Sequence, residues 1–518
     1  MADPPGRAAY GIYGFDANQG PFMLMRRSIL WPVLTAACHA DPRRRTAVQA
    51  PTRNTATKSR PLGRSFRAIV AGAVALAGVH VPATARAQDG ISFIRDSEIE
   101  NLLDDYARPI FKAAGLGNQP IKVRIVRQDG FNAFVVDGQN VFINTGTLLM
   151  SNTPNQVIGV IAHETGHIAG GHLAGLRQRI AQDATKALLL QILAIGGAIA
   201  GARASGPNST SQPGGLIGAP GDMVMRGLLN YRRQQESAAD QAAITYLNAT
   251  RQSGQGMLVT FEEFAKQEYV SAQFQDPYVR SHPMPQDRIA QLRNLVERSP
   301  FNGQKDPAPL QLRHDLMRAK LTGFLSDRNP RQVFNKYPPS DTSLPARYAR
   351  AIGKYFQTDI NAAMPDIDTL IRENPANPYF WELKGELLFR SGRAKEAHPA
   401  FRKALSLASG ETSLIRVQLA QALLADDANR NFDEPIDMLR KAAVMEKDNP
   451  DAYQHLATAY YKKGLLPEAD LAAAQSRFYA GNLKEAQNFA KRAQAKLTKG
   501  SPGWIKADDI INYKPPKE

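Results

Sequence analysis

The sequence predicts a mainly α protein (α+β), with a small β-sheet in an N-terminal globular domain and an α-solenoid of paired helices after it. Short β-branched runs cluster between residues 121 and 144, helical periodicity covers most of the remaining chain, and helix pairs recur from about residue 307. A chain of 518 residues also exceeds one ordinary hydrophobic core. We expect a leader at 1–87, a globular domain at 88–305, a repeat solenoid at 306–500 and a tail at 501–518.

The leader has the layout of a secretory signal peptide. Arg64 and Arg67 precede an apolar stretch from Ala68 to Val81, which is followed by the A-x-A sequence Ala85–Ala87. The apolar stretch is too short to span a bilayer as a stable helix. The segment before it is longer than such leaders usually are, and one interpretation is that translation starts downstream of Met1. We therefore expect export to the periplasm.

Cysteine content and charge limit the chemistry of the mature chain. Cys38 is the single cysteine, so cleavage after Ala87 leaves no thiol for a disulfide, and metal ligands must be histidines and carboxylates. This composition suits an oxidising compartment. The leader holds +9 of the +16 formal charge, which leaves +7 for the rest. No basic stripe with interleaved aromatic residues is present in the sequence, so nucleic-acid binding is not expected.

The globular domain is predicted to contain three short strands. Ile121–Val126 is a β-branched run that is typical of a strand. Phe131–Val136 and Asn140–Asn144 flank the turn signal Asp137-Gly138 and therefore predict a β-hairpin.

Two helices and one strongly apolar segment follow the strands. Helical periodicity runs from about Asn155 to Leu176, with Pro154 in its first turn, and again over Val224–Leu247. Between them, Ala187–Ala202 has sixteen residues, with Gln191 among them, and falls short of a transmembrane helix. Two interpretations stay open for this segment. It is either a buried core helix, or a segment that covers the active site or makes a peripheral membrane contact.

The C-terminal region follows the tetratricopeptide pattern of small and aromatic residues. Trp381 and Tyr453 are 72 residues apart, as are Gly392 and Gly464, which is about two periods of the ~34-residue repeat. A looser copy lies between them. We expect four to five repeats stacked as an α-solenoid, an architecture that presents an extended surface to protein partners.

The first helix carries the residues His163-Glu164-Thr165-Gly166-His167, which spell H-E-x-x-H. Four residues are a little over one helical turn, so His163 and His167 project from the same face. Two neutral imidazoles at this spacing can hold one Zn²⁺, and Glu164 beside them can act as the general base of a hydrolase.

The second helix offers a third metal ligand. Glu236 and Asp240 share one of its faces, so Glu236 can ligate zinc while Asp240 accepts a hydrogen bond from a ligand imidazole. The alternative is an exposed acidic face, but the small residues between the two carboxylates favour close packing. His172 is a competing ligand. It follows His167 by five residues, whereas the longer zinc-protease motif places its third histidine at six.

His282 lies between the second helix and the solenoid, in the sequence Ser281-His282-Pro283-Met284-Pro285. The prolines hold this segment extended. Three interpretations stay open: His282 stabilises the oxyanion of the reaction, for which Arg288 is the other candidate; it fills a fourth metal position and closes the site; or it is an ordinary loop histidine.

These motifs, in this order, resemble the M48 metallopeptidases, and the leader and repeats resemble a periplasmic group of that family. The resemblance implies a zincin-like metallopeptidase domain in which His163, His167 and Glu236 hold one zinc. It further implies that Glu164 is the general base, that Asp240 orients a ligand histidine and that His282 is a regulatory fourth ligand. A substrate segment is expected to pair with the edge strand, near Val141–Thr145.

The resemblance also implies partners and a function. Misfolded or misassembled outer-membrane proteins would be the substrates of an exported zinc endopeptidase, and the solenoid would contact the outer-membrane assembly machinery. The alternative function is a chaperone or scaffold for outer-membrane protein assembly, with a closed and regulated metal site.

Overall fold

The computed structural model describes residues 92–136, 139–179, 219–267, 275 and 277–515. The predicted signal peptide and the apolar segment Ala187–Ala202 lie outside these ranges. Within them, no helix combines the length and the apolar character needed to cross a membrane.

The described strands form one four-stranded mixed sheet. Its strands are β1 (Phe93–Ile94), β2 (Lys122–Val126), β3 (Ala133–Val135) and β4 (Asn140–Asn144), in the order β1-β2-β4-β3. β2 runs parallel to β4, and β3 pairs with β4 antiparallel, with Ala133 opposite Ile143. The predicted strand at Ile121–Val126 and the predicted hairpin pairing are therefore confirmed, while the turn residues Asp137 and Gly138 lie outside the described ranges.

The position predicted for substrate pairing, near Val141–Thr145, is wrong. β4 is an interior strand, because β2 bonds to one of its sides and β3 to the other. Its backbone groups are already used, and in the described sheet the outer strand on this side is β3. The apolar sequence of β4 does not separate an edge strand from an interior one, since both can be buried on one face.

Helices accompany this sheet in the N-terminal part of the chain, and the first three of them contact its strands. They are α1 (Ser97–Ala113), α2 (Thr145–Met150), α3 (Pro154–Ala169), α4 (Ala219–Ala249), α5 (Gln255–Ala265), α6 (Pro277–Ser281) and α7 (Gln286–Glu297). Pro154 occupies the first turn of α3 as predicted. One hydrophobic cluster joins α1, the sheet, α3, α4 and α5, and it includes the fully buried Leu103, Val141, Val160, Leu247 and Phe261.

The predicted helix at Asn155–Leu176 is in fact two helical segments. α3 ends at Ala169, and helical residues resume at His172. Gly171 between them has φ +62°, a left-handed conformation that glycine adopts at no steric cost and that interrupts a right-handed helix. The periodicity of apolar residues continues across this break, which is why the sequence predicts one helix.

α3 and α4 approach each other closely at a glycine. A Cβ atom on Gly166 would lie 2.9 Å from the carbonyl oxygen of Ala239 and 3.0 Å from its Cα. These are backbone atoms, so no side-chain rotation can relieve the contact. The absence of a side chain at Gly166 therefore sets the separation of the two helices.

The C-terminal region is an array of helix pairs, as predicted, but a further helix, Pro502–Asn512, lies in the segment 501–518 that was predicted to be a tail and packs on the helix before it. Its helices are α8 (Ala308–Leu325), α9 (Arg331–Lys336), α10 (Leu344–Gln357), α11 (Ile360–Glu373), α12 (Pro378–Arg390), α13 (Ala394–Leu407), α14 (Ser413–Ala425), α15 (Asp433–Met445), α16 (Pro450–Lys463), α17 (Leu466–Tyr479), α18 (Leu483–Gln494) and α19 (Pro502–Asn512). Helices adjacent in sequence pack against each other, so their apolar faces form a continuous series of cores.

The solenoid contacts the N-terminal end of α1 through a buried ionic cluster. The ammonium of Lys320 (α8) lies 2.8 Å from Asp96, 3.4 Å from Glu98 and 3.9 Å from Glu382 (α12). The Ser97 hydroxyl donates to Glu382 at 2.8 Å, and the Tyr348 hydroxyl (α10) donates to Glu98 at 2.9 Å. Such a cluster favours one docking geometry, since any other would leave buried charges unpaired.

A second ionic contact joins the sheet to the junction of α15 and α16. Glu446 accepts from Arg95 at 2.6 Å and from Arg124 at 3.0 Å, and Asp448 accepts from Arg124 at 2.8 Å. Burial of Glu446 raises its pKa, but the charges of Arg95 and Arg124 outweigh burial and lower the pKa from 4.5 to about 2. The ionised carboxylate therefore stabilises the docked arrangement.

We predict that Glu446→Gln lowers the free energy of unfolding by about 3 kcal/mol at pH 7. The pKa is depressed in the folded protein, so this stabilisation is complete above about pH 4.5 and is lost as pH falls towards 2. Denaturant unfolding at a series of pH values would measure the difference between wild type and variant. Glu297→Gln, which removes an exposed carboxylate, is the control. A difference that stays constant between pH 6 and pH 3 would contradict the prediction.

We also predict that Gly166→Ala destabilises the protein by about 1–3 kcal/mol, because the new Cβ forces α3 and α4 apart. Gly303→Ala is the matched control, since a Cβ at this turn residue meets no atom within 4 Å. Its effect should stay within about 0.5 kcal/mol. Equal stability of the two variants in thermal unfolding would show that a Cβ at position 166 does not force the helices apart.

Candidate metal centre

Four side chains from three segments converge beside the Gly166 contact. His163 and His167 come from α3, Glu236 comes from α4, and His282 follows α6. One nitrogen or oxygen atom from each lies within 4.8 Å of all the others. His163 Nε2 is 3.1 Å from His167 Nε2 and 3.4 Å from Glu236 Oε2. The structure therefore brings the three predicted metal ligands together.

His282 belongs to the same group of atoms. Its Nδ1 lies 3.0 Å from Glu236 Oε2 and 3.4 Å from His163 Nε2. Its ring stacks on that of the buried Tyr278, with centroids 4.5 Å apart and planes 29° apart. The backbone N–H of His282 donates to the Tyr278 carbonyl at 2.7 Å, and Arg232 of α4 donates to the Ser281 carbonyl at 2.7 Å. These contacts fix the loop so that the imidazole faces the cluster.

Glu164 lies next to this group and is almost completely buried. Its Oε1 is 3.6 Å from His282 Nε2, too far for a hydrogen bond, and has no hydrogen-bond partner among the described residues. Burial raises the pKa of Glu164, although the nearby histidines counteract it. An orphaned, buried carboxylate oxygen beside converging imidazoles fits a site that holds a metal and a water molecule.

Asp240 lies one helical turn after Glu236 and contacts the side of the His163 ring that faces away from the cluster. Asp240 Oδ1 is 2.9 Å from His163 Nδ1, the ring nitrogen that faces away from the cluster. Arg288 (α7) donates to both oxygens of Asp240, through Nε at 2.6 Å and Nη2 at 2.9 Å. The structure therefore places Asp240 where the sequence predicted it, against a ligand histidine.

Arg288 binds the carboxylates of the site and has no nitrogen left to donate to an oxyanion. Its Nη1 donates to the Pro283 carbonyl at 2.9 Å and lies 3.0 Å from Glu236 Oε2, so the buried guanidinium is engaged on all its nitrogens. Its charge also lies over the Phe261 ring, 5.3 Å from the centroid. Arg288 thus neutralises Glu236 and Asp240, a role that its spacing in the sequence does not reveal.

The electrostatics of the cluster favour ionised carboxylates. Burial alone would raise the pKa of Asp240, but Arg288 and His163 lower it, and Glu236 is lowered well below its ordinary value mainly by His282 and His163. Burial and the neighbouring His163 lower the pKa of His167 to about 2. His163 differs: burial lowers its pKa, but the carboxylates of Asp240 and Glu236 outweigh burial and raise the pKa to about 9. Metal ligation at neutral pH therefore requires His163 to lose a proton, whereas Glu236 is already anionic and His167 already neutral.

His172, the competing ligand, lies outside the convergent group. Its Nδ1 is 2.9 Å from Nδ1 of His167, the ring nitrogen opposite the one that faces the cluster. Glu236, and not His172, is therefore placed to be the third ligand.

Sequence comparisons match two parts of the chain to known families. Residues 94–296 match Peptidase family M48, and residues 348–412 match a tetratricopeptide repeat family. The β-barrel assembly-enhancing protease of Escherichia coli (strain K12) is 22% identical over 426 residues, which cover 81% of this chain and 83% of the relative. The corresponding protein of Yersinia pestis is 23% identical over 406 residues, which cover 76% and 78%.

Another relative matches a smaller share of the chain. Metalloprotease LoiP of Escherichia coli (strain K12) is 28% identical over 200 residues, which cover 37% of this chain and 71% of LoiP. The site lies wholly within the segment that matches the peptidase family. The chain therefore combines a peptidase family M48 domain, which is typical of metalloproteases, with tetratricopeptide repeats, and it is homologous to the β-barrel assembly-enhancing proteases.

Proposed function

We propose that this protein is a zinc endopeptidase whose metal is held by His163, His167 and Glu236. The observation that carries the proposal is the convergence of these ligand atoms beside the buried, unpartnered Glu164 Oε1. Nitrogen and carboxylate donors without a thiol match the donor set of catalytic zinc. When bound, zinc polarises the peptide carbonyl and acidifies water.

Glu164 is the general base in this proposal. Its Oε1 takes the proton of the attacking water and later delivers that proton to the leaving amine. Asp240 holds the proton of His163 on Nδ1, which leaves the Nε2 lone pair directed at the cluster. Burial opposes ionisation of both carboxylates; Arg288 and His163 keep Asp240 ionised, and His282, His163 and Arg288 keep Glu236 ionised, so both stay available at neutral pH.

His282 lies at a fourth ligand position in the described conformation. Its Nδ1 lies among the ligand atoms, and its Nε2 faces the general base. A fourth protein ligand occupies the position that a catalytic zinc keeps open for water or substrate. We propose that His282 is a regulatory ligand and that activity requires it to leave.

The substrate backbone is proposed to pair with β3. Within the described sheet β3 has one neighbour, β4, and β3 also contacts α3, the helix of the metal ligands. An extended peptide can add a strand to such an edge through main-chain hydrogen bonds, which are independent of sequence. Pairing of this kind suits a protease that acts on unfolded segments.

The proposed setting is the periplasm. The signal-peptide pattern and the homologous β-barrel assembly-enhancing proteases support a role in envelope protein assembly. We propose that misfolded outer-membrane proteins are the substrates and that the repeats contact the assembly machinery. A chaperone or scaffold with a closed site is the second candidate function, and the position of His282 among the ligands favours it.

We predict that Glu164→Gln binds one zinc per chain and degrades an unfolded protein at least about 100-fold more slowly than wild type, because a base of this kind contributes about 10²–10⁴-fold. Metal analysis of the purified protein and loss of full-length casein on gels measure the two properties. Glu297→Gln controls for removal of a carboxylate at an exposed position. Proteolysis at the wild-type rate by Glu164→Gln would exclude this assignment of the base. Complementation of a deletion strain by the inactive variant would favour the scaffold function.

We predict that His282→Ala raises proteolysis several-fold, because it vacates the fourth ligand position while His163, His167 and Glu236 remain. Initial rates of casein cleavage at saturating zinc measure the effect, and Ser281→Ala is the matched control in the same loop. A slower His282→Ala enzyme with full zinc content would instead assign His282 to transition-state stabilisation.

A further inference from the structure

His172 contacts the metal ligand His167 from outside the cluster. The two Nδ1 atoms lie 2.9 Å apart, and the rings meet edge to face with centroids 5.0 Å apart and planes at 79°. We propose that His172 is a positioning residue: it accepts a hydrogen bond from Nδ1–H of His167 and holds that imidazole in its ligating orientation. This inference rests on the proposed metal site.

The direction of the hydrogen bond follows from the opposite nitrogen of His167. Nε2 of His167 faces the cluster, 3.1 Å from His163 Nε2 and 3.6 Å from Glu236 Oε1, so its lone pair must be free for a metal. The proton of a neutral His167 then resides on Nδ1. A donor there requires an acceptor, and His172 Nδ1 is the acceptor that the described residues supply. His172 therefore carries its own proton on Nε2.

The break after α3 is what makes this contact possible. In a continuous helix, a residue five positions after His167 would point about 140° away from it around the axis. The left-handed Gly171 (φ +62°) turns the chain back, and the His172 ring comes to lie over Gly170. A Cβ on Gly170 would be 2.3 Å from His172 Nε2. The two glycines thus provide both the turn and the space for the ring.

A hydrogen bond from α4 anchors His172. The side-chain amide of Gln235 donates to the His172 carbonyl at 3.2 Å, and Gln235 directly precedes Glu236 in the chain. The segment that orients His167 is therefore tied to the helix that supplies the third ligand. His163 has a matching arrangement, since Asp240 contacts its outward Nδ1. Each ligand histidine of α3 thus has its own partner at the nitrogen that faces away from the cluster.

The experiment compares His172→Leu with His172→Asn in the full-length mature protein. Leucine removes the acceptor, whereas the Asn side-chain oxygen can replace Nδ1 of the imidazole. We expect His172→Leu to weaken zinc binding 10–100-fold, the usual effect of losing such a partner, and His172→Asn to recover most of it. Competition with a chromophoric chelator measures the zinc dissociation constant. The zinc-free unfolding midpoint, which a purely structural role would lower, should change little.

Two further variants test the supporting contacts. Gly170→Ala should weaken zinc binding although His172 is retained, because the new methyl group displaces its ring. Gln235→Ala should weaken zinc binding by less than Gly170→Ala does. Its matched control is Gln234→Ala, because Gln234 is the exposed neighbour of Gln235. If wild type binds no stoichiometric zinc, the proposed function fails. If wild type binds zinc and His172→Leu binds it equally well, or His172→Asn recovers nothing, the positioning role is overturned while the metal site stands.

Discussion

The close approach of α3 and α4 at Gly166 is the constraint on which the site depends. Each helix contributes a pair of residues one turn apart, His163 with His167 and Glu236 with Asp240. Such pairs share a face, but they meet only if the helix axes come within reach of short side chains. Gly166 permits this because a Cβ there would be 2.9 Å from the Ala239 carbonyl oxygen. The crossing point therefore determines the ligand distances.

Once the helices cross at this point, the remaining groups complete the electrostatic balance. Arg288 forms ion pairs with both Asp240 and Glu236, and its positive charge offsets the repulsion between these two buried carboxylates on one helix face. Tyr278 supports His282 by stacking. The metal ligands thus contact mostly buried side chains. These contacts limit the movement of the ligands and so preserve the geometry of the site.

The repeat helices bind the N-terminal domain of the same chain. Tyr348, Glu382 and Glu446 belong to repeat helices or their junctions, and all three bind the N-terminal end of α1 or the adjacent strands. The solenoid surface that carries them is therefore occupied by the chain's own peptidase domain. In the described arrangement this surface is closed to other proteins, and separation of the solenoid from the peptidase domain must break the Glu446 and Lys320 contacts.

The metal-site residues could be predicted from the sequence, whereas the helix break, the strand order and the ionic contacts around the site could not. H-E-x-x-H, Glu236 and Asp240 are visible because helical spacing alone puts each pair on one face. The break at Gly170-Gly171 was missed because apolar periodicity continues through it, and β4 was mistaken for an edge strand because strand order is a long-range property. Arg95, the partner of Glu446, and Asp96, the partner of Lys320, lie more than two hundred residues away in the chain, a separation at which periodicity carries no information.

X-ray absorption at the zinc edge of the purified mature protein tests the central claim most directly. The account predicts one zinc per chain, surrounded only by nitrogen and oxygen atoms at about 2.0–2.2 Å. Three imidazoles should contribute in wild type and two in His282→Ala. A protein that retains no stoichiometric zinc, or a zinc environment that Glu236→Gln leaves unchanged, would contradict it.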